Sequence, residues 1–262
     1  MARVGVLFVH GMGNLGPDYA DALRQRIVAA LEDSADAIAF EAVHYRDPIE
    51  VAQAQLWDRW RPHTGGVDDP DLAFLRYGLV VSGFGDVLAY VQTHRAAIHD
   101  RVRDGLARLR ARVERPARAP LVVVAHSLGS VVAEDYVRRN QDGDALGDSP
   151  FARAETLTAL YTLGSPLPLF RLSSDLPPVH VPGRAVSDRV RKAAEWVNFH
   201  SRSDVFGMPL GILSPAYAEA VVDVRSSNRG LVGGHLGYWK NATIARRIAL
   251  GLERILAAHD AP

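Results

Sequence analysis

Cysteine is absent from all 262 residues. That removes a disulfide framework, a thiolate zinc site and a cysteine nucleophile at once. Lysine is nearly absent as well: Lys192 and Lys240 stand alone, and arginine supplies the rest of the 30 basic residues. No sign of charge is in excess, because 30 Asp+Glu balance them to a formal net charge of zero. An electrostatic nucleic-acid binder normally carries a basic surplus, so no nucleic-acid partner is expected. Long hydrophobic runs are missing too. Val4–Val9 spans six residues, short of a signal-peptide core, and no small-x-small cleavage site follows it. The apolar stretch from Tyr77 to Val91 is interrupted by Asp86 and is too short to cross a bilayer. The expectation is a soluble, cytoplasmic protein with no integral membrane span.

What remains is globular composition, 48% hydrophobic and 23% charged, which excludes disorder as the main state. Length alone allows one or two domains. Val4–Val9 reads as a strand buried on both faces, and Ala37–His44, Leu121–Ala125, Thr158–Leu163, Trp196–Phe199 and Val221–Val224 as further strands. Between them lie helix patterns. Pro17 suits a first helical turn, after which Leu23, Ile27 and Leu31 mark one face. Val102, Leu106, Leu109 and Val113 mark a second helix, and Ile244, Ile248, Leu252, Ile255 and Leu256 a closing one over Lys240–Ala257. Strands separated by helices imply an α/β fold with a doubly wound, mainly parallel six-stranded sheet. Two stretches break the rhythm: Tyr45–Thr93, with Trp57, Trp60 and an Asp68-Asp69-Pro70-Asp71 turn, and the proline-rich Pro166–Arg184. Each follows the carboxyl end of a strand, where open α/β sheets place their ligands, so each is a lid or pocket candidate.

The strongest chemical signal is Val122-Val123-Val124-Ala125-His126-Ser127-Leu128-Gly129-Ser130. A β-branched run enters a turn with small residues two before and two after a serine, and a helix pattern follows. This is the pattern of a nucleophile elbow, with Ala125 in place of the usual first glycine. A second signal, His10-Gly11-Met12-Gly13-Asn14, closes the first strand. Acyl transfer needs two backbone N–H donors where the oxyanion develops, and Met12 and Leu128 are placed to supply them. The same residues also contain Gly-x-Gly-x-x-Gly over Gly11–Gly16, which leaves dinucleotide binding open; no acidic residue closes the second strand at the spacing that reading requires.

Taken together, strand–His-Gly-x-Gly, the elbow, and a later acid and histidine resemble the α/β-hydrolase superfamily, in its lipase and esterase branch. The resemblance runs from the first strand to the last helix. It implies a minimal six-stranded α/β-hydrolase fold in a single domain of residues 1–262, without the two usual leading strands and with a small helical cap over 45–93. It also implies a Ser…Asp…His order. Asp204, after Trp196–Phe199, is the implied acid, with Asp188 and Asp223 as rivals. His235, in Gly233-Gly234-His235-Leu236-Gly237, is the implied base; His259 follows it in what reads as a frayed tail. Ser127 would carry the acyl group. His10, Gly11, His126, Trp57, Trp60, Pro166 and Leu167 are the pocket candidates, and Phe74, Leu75, Leu79, Val80, Val81 and Phe84 could cover an apolar acyl site. Thr162-Leu163-Gly164-Ser165-Pro166 resembles lipase-like esterases and tilts the substrate towards a small-molecule or lipid-like ester. No cofactor and no metal are called for; His94 and His99, five apart, do not share a helix face. An acyltransferase or thioesterase using the same triad, and a non-catalytic binding module on the same scaffold, are the alternatives.

Overall fold

Val4–Val9 is apolar at odd and even positions alike. Successive side chains of a strand point to opposite faces, so such a run is stable only with both faces covered. The computed structural model, which describes residues 1–13, 15–63 and 75–260, shows this arrangement. Val4, Val6 and Phe8 enter one apolar core, while Leu7 and Val9 enter another on the opposite side. Leu121–His126 divides in the same way, with Val122 and Val124 on one side and Leu121, Val123 and Ala125 on the other.

The strands are β1 (Val4–Val9), β2 (Ile38–Val43), β3 (Leu121–His126), β4 (Leu157–Leu163), β5 (Glu195–His200) and β6 (Val222–Arg225). They form one six-stranded sheet in the order β2-β1-β3-β4-β5-β6, and every neighbouring pair is parallel. The longer helices are α1 (Asp21–Leu31), α2 (Asp47–Trp60), α3 (Arg95–Arg110), α4 (Leu128–Gln141) and α5 (Ala242–Asp260). Leu23, Ile27 and Leu31 of α1 share the Val4 side with Ile244, Ile248 and Leu252 of α5. Val102, Leu106 and Leu109 of α3 share the Leu7 side with Val131 and Val132 of α4. The sheet is therefore doubly wound, and all six carboxyl ends lie along one edge.

Three local expectations are corrected. Pro17 lies in a turn ahead of α1, which begins only at Asp21. Tyr19 fixes that turn, its hydroxyl donating to the Phe8 carbonyl at 2.8 Å and lying 3.0 Å from the Val43 carbonyl, across the ends of β1 and β2. Val113 falls beyond the end of α3, where it is fully buried and bridges Ala2 in parallel. His259 is not in a frayed tail, because α5 continues to Asp260.

Between β2 and α3 the chain runs through α2 and then a helical stretch with wide turns over Leu75–Phe84 and Tyr90–His94, separated by an α-turn at Gly85–Ala89. The expected turn at Asp68-Asp69-Pro70-Asp71, and Phe74, lie outside the described residues. Among the described residues, no helix is long and apolar enough to cross a membrane.

The closing helix is tied to the sheet by charge as well as by its apolar face. Glu195 of β5 accepts from Arg247 at 2.8 Å and pairs with Arg254 at 2.6 Å, both on α5, while the Tyr161 hydroxyl of β4 donates to the same carboxylate. Burial opposes ionisation of Glu195, but hydrogen bonds from Arg247, Tyr161 and Arg254 outweigh it and hold the carboxyl below the ordinary glutamate range. A depressed folded-state pKa contributes stability above the unfolded value of about 4.3, and that stability is lost as pH falls through the folded value. Glu195→Gln is expected to cost about 1–3 kcal/mol near neutral pH. In chemical denaturation the gap between wild type and variant should close below about pH 4; a gap that persists unchanged to pH 3 would contradict the linkage.

Candidate active site

Ser127 joins β3 to α4 in a left-handed backbone conformation, φ 51° and ψ −128°. A non-glycine residue there is strained by on the order of 1–3 kcal/mol and persists only where its surroundings over-determine it. They do so here. The Ser127 N–H donates to the Leu163 carbonyl of β4 at 2.9 Å, and the Ser130 hydroxyl donates to the Ser127 carbonyl at 2.5 Å. Gly129 is required by close approach: a Cβ there would lie 2.1 Å from the His10 carbonyl oxygen and 2.6 Å from that of Val9. Helix α4 thus passes against the end of β1. Gly11 sits directly beside the serine, since a Cβ on it would come within 2.6 Å of the Ser127 Cβ. Leu128 is the first residue of α4, so its N–H has no acceptor within the helix.

His235, in the short helix Leu231–Leu236 after β6, and Asp204, in the loop after β5, reach the same sheet edge. The His235 Nε2 is 2.8 Å from the Ser127 Oγ, and its Nδ1 is 2.8 Å from the Asp204 Oδ1. An ionised carboxylate only accepts, so the network places the ring proton on Nδ1 and leaves the Nε2 lone pair to the serine hydroxyl. Asp204 also accepts from the Phe206 N–H at 2.9 Å and from the Tyr238 hydroxyl at 2.8 Å. Burial pushes its carboxyl up, but the bonds from His235, Phe206 and Gly207 prevail and hold it below the usual aspartate range. The rivals are elsewhere. Asp188 projects into solvent at the start of a short helix. Asp223 of β6 accepts from Asn198 and from the Leu210 and Gly211 N–H groups, and so braces the loop that carries Asp204.

His126 is fully enclosed beneath His235. Its Nε2 donates to the His235 carbonyl at 2.8 Å, and burial pulls its pKa down to about 3, helped by the neighbouring His235. His10 is likewise buried, stacked on Tyr45 with ring centres 4.0 Å apart, and burial lowers it to about 3 as well. Both rings are therefore neutral supports and do not line a pocket, which corrects the expectation for them.

A cavity of about 240 Å³ opens over Ser127, lined by Met12, Phe84, Val87, Leu128, Pro166, Leu169, Phe170 and Phe206. Of the pocket and cover residues expected, Pro166 and Phe84 take part; Met12 and Leu128, expected as backbone donors, line it as well. Trp57 and Trp60 do not: their rings pack edge-to-face at 5.9 Å, and Tyr77 packs against Trp57. Leu167 is turned into the core, and its neighbours Leu169 and Phe170 form the wall instead. Of the other anticipated cover residues, Val81 is buried and Val80 half exposed, neither lining the cavity. Nothing is described of the Leu75 and Leu79 side chains. The sequence does not single out Val87, Leu169, Phe170 and Phe206, but Val87 lies inside the Tyr45–Thr93 stretch, Leu169 and Phe170 inside the proline-rich one, and Phe206 two residues after Asp204. The glycine pattern Gly11–Gly16 does not open a helix, since a turn separates it from α1, so the geometry for seating a pyrophosphate on a helix N-terminus is absent. Among the described residues, no group of three His, Asp or Glu side chains could hold a metal ion.

No family model matches the chain, and no curated protein matches it. Among solved structures it is similar to a candidate hydrolase of the alpha/beta superfamily from Xanthomonas campestris pv. campestris, at 17% identity over 94% of this chain and 98% of that one, with a TM-score of 0.39. A likeness of that size carries no weight for activity.

Gly129→Ala drives a methyl group into the backbone of β1 and should destabilise the fold by about 3 kcal/mol or more. For a chain of this size that corresponds to a fall in Tm of roughly 6 °C or more, read by thermal denaturation. An unchanged Tm would mean that α4 does not pack against β1 as described.

Proposed function

We propose that the chain is a serine hydrolase of carboxylic esters that works through an acyl-enzyme on Ser127. The observation that supports this most is the Ser127–His235–Asp204 hydrogen-bond chain at the floor of an apolar cavity. In this reading His235 takes the Ser127 proton on Nε2 as Oγ attacks the ester carbonyl. The imidazolium that forms is stabilised by Asp204 across Nδ1–H, while Tyr238 and the Phe206 N–H keep the carboxylate oriented. The N–H groups of Met12, just after β1, and of Leu128, the first residue of α4, receive the oxyanion. Collapse of the tetrahedral intermediate releases the alcohol, which takes the proton back from His235. Water then repeats the sequence to free the acid and the enzyme.

The cavity speaks for the acyl side of the substrate. Its walls are phenylalanine, leucine, valine, methionine and proline side chains with no charged group among them. A volume of about 240 Å³ corresponds to on the order of eight water-sized units of roughly 30 Å³ each, the size class of a medium-length acyl chain.

Ser127→Ala should abolish both ester turnover and covalent labelling by an alkyl fluorophosphonate; labelling that survives would remove Ser127 from the mechanism. His235→Ala should lower turnover by about 10³-fold or more, as expected for members of a cooperating triad. In a panel of 4-nitrophenyl esters, kcat/KM should rise by about tenfold or somewhat more per pair of methylenes up to about eight carbons and then level, since each buried methylene contributes about 0.8 kcal/mol. A preference for acetate would contradict the cavity as acyl site, and turnover confined to thioesters would make the protein a thioesterase.

A further inference from the structure

Asp86 is the one acid in the apolar stretch between Tyr77 and Val91, and it is fully buried. A lone carboxylate in such a run is costly to bury unless its oxygens are used. Both are. One oxygen accepts from the Gly13 N–H at 2.8 Å, and the other accepts from the Gln53 Nε2 at 2.7 Å. Gln53, on α2, in turn accepts from Arg46 at 3.1 Å, and both of these side chains are buried. Arg46 thus brings a compensating positive charge to within one residue of Asp86. Burial pushes the Asp86 carboxyl up against the pull of Gly13, Gln53 and Arg46.

The placement of this carboxylate is specific. Gly13 follows Met12 and has φ 95°, so a conformation that favours glycine stands immediately after the candidate oxyanion donor. Phe84 and Val87, on either side of Asp86 in sequence, line the cavity over Ser127. One side chain therefore fastens the wall of the acyl cavity to the loop that would receive the oxyanion.

We propose that Asp86 is a positioning residue for acyl transfer, aiming the Met12 N–H by holding the Gly13 N–H from the segment that walls the cavity. The inference rests on the hydrolase reading given above. Asp86 touches neither substrate nor reacting atoms. Its effect is on how well the donor is aligned with charge that exists only in the transition state, so it should act on kcat and leave KM alone.

The test is steady-state kinetics on a 4-nitrophenyl ester, with fluorophosphonate labelling rates and thermal melts of the same variants. Asp86→Ala is expected to lower kcat by about 10- to 100-fold, the range for a donor displaced by around an ångström, with KM within about threefold of wild type. Asp86→Asn can still accept from Gly13 through its amide oxygen and should recover a substantial part of the loss. The comparison variant is Asp135→Asn. It weakens another polar tie of the same segment, the Tyr90 hydroxyl to Asp135 at 2.7 Å on α4, without touching the Met12 loop. It should lower Tm and leave kcat within about twofold.

A kcat for Asp86→Ala within twofold of wild type overturns the proposal. So does an equal loss in Asp135→Asn, which would mean that loosening the segment anywhere is sufficient, or a loss that falls on KM alone. If Asp86→Ala does not fold, Asp86→Leu, of similar size and without an acceptor for the Gly13 N–H, is read against Asp135→Asn instead: a kcat deficit confined to Asp86→Leu supports the proposal, and equal rates overturn it. A wild-type protein that neither turns over esters nor takes the fluorophosphonate overturns the hydrolase reading and this inference with it. Wild-type labelling with an equal labelling rate in Asp86→Ala overturns the positioning role alone.

Discussion

The site is built around the distance at which α4 passes the end of β1. At Gly129 there is no room for a single carbon beyond the backbone, because the His10 and Val9 carbonyls already occupy it. That approach fixes where α4 starts, and so where Ser127 must turn and where the Leu128 N–H emerges. It also brings Gly11 and Met12, at the end of β1, beside the serine. The parallel pairing of β1 with β3 makes this possible, because it delivers both strand ends to one edge. Parallel pairing is in turn a consequence of composition: strands apolar on both faces need helices on both sides, and the crossovers that supply them keep the strand direction constant.

How much of this is legible in the sequence depends on the range of the interaction. Strand positions are read almost to the residue, because a continuous Val/Leu run has few alternatives in a chain of this composition. The elbow is local, spanning Ala125 to Gly129, and needs no tertiary information. Tyr19 shows the limit. Pro17 is a sound helix-start signal by itself, but Tyr19 reaches the Phe8 and Val43 carbonyls and holds the turn open for four residues. The pocket is read least well for the same reason. Trp57 and Trp60 are large and apolar, and nothing local reveals that they pack on one another, with Tyr77 against Trp57, instead of on a ligand. Leu167 and Leu169 are alike in type and two apart, yet one fills the core and the other the cavity wall. That difference is one of direction along a short helix, which composition does not encode. Asp86 did leave a mark, as the interruption of an apolar run.

Three imidazoles lie close to the serine, and they divide the electrostatic work unequally. His126 is centred 4.8 Å from His235, and His10 lies beyond it against Tyr45. Were His126 protonated, its charge would oppose a cation on His235 by about 3 kcal/mol at an effective dielectric of 20, and by more in a drier interior. That would cancel a large part of what Asp204 contributes. Burial removes the problem, because a pKa of about 3 keeps His126 neutral across the physiological range. The ring can then do what a cation could not do without penalty: donate Nε2–H to the His235 carbonyl and hold that residue from below. In the proposed mechanism the imidazolium of His235 would therefore be the one new positive charge, facing a carboxylate whose remaining lone pairs are committed to Tyr238 and Phe206. The desolvation that costs His126 its proton is the same desolvation that strengthens the Asp204–His235 contact, so in that mechanism the packing of Tyr238 and Trp239 against His126 would act on the chemistry without touching the substrate.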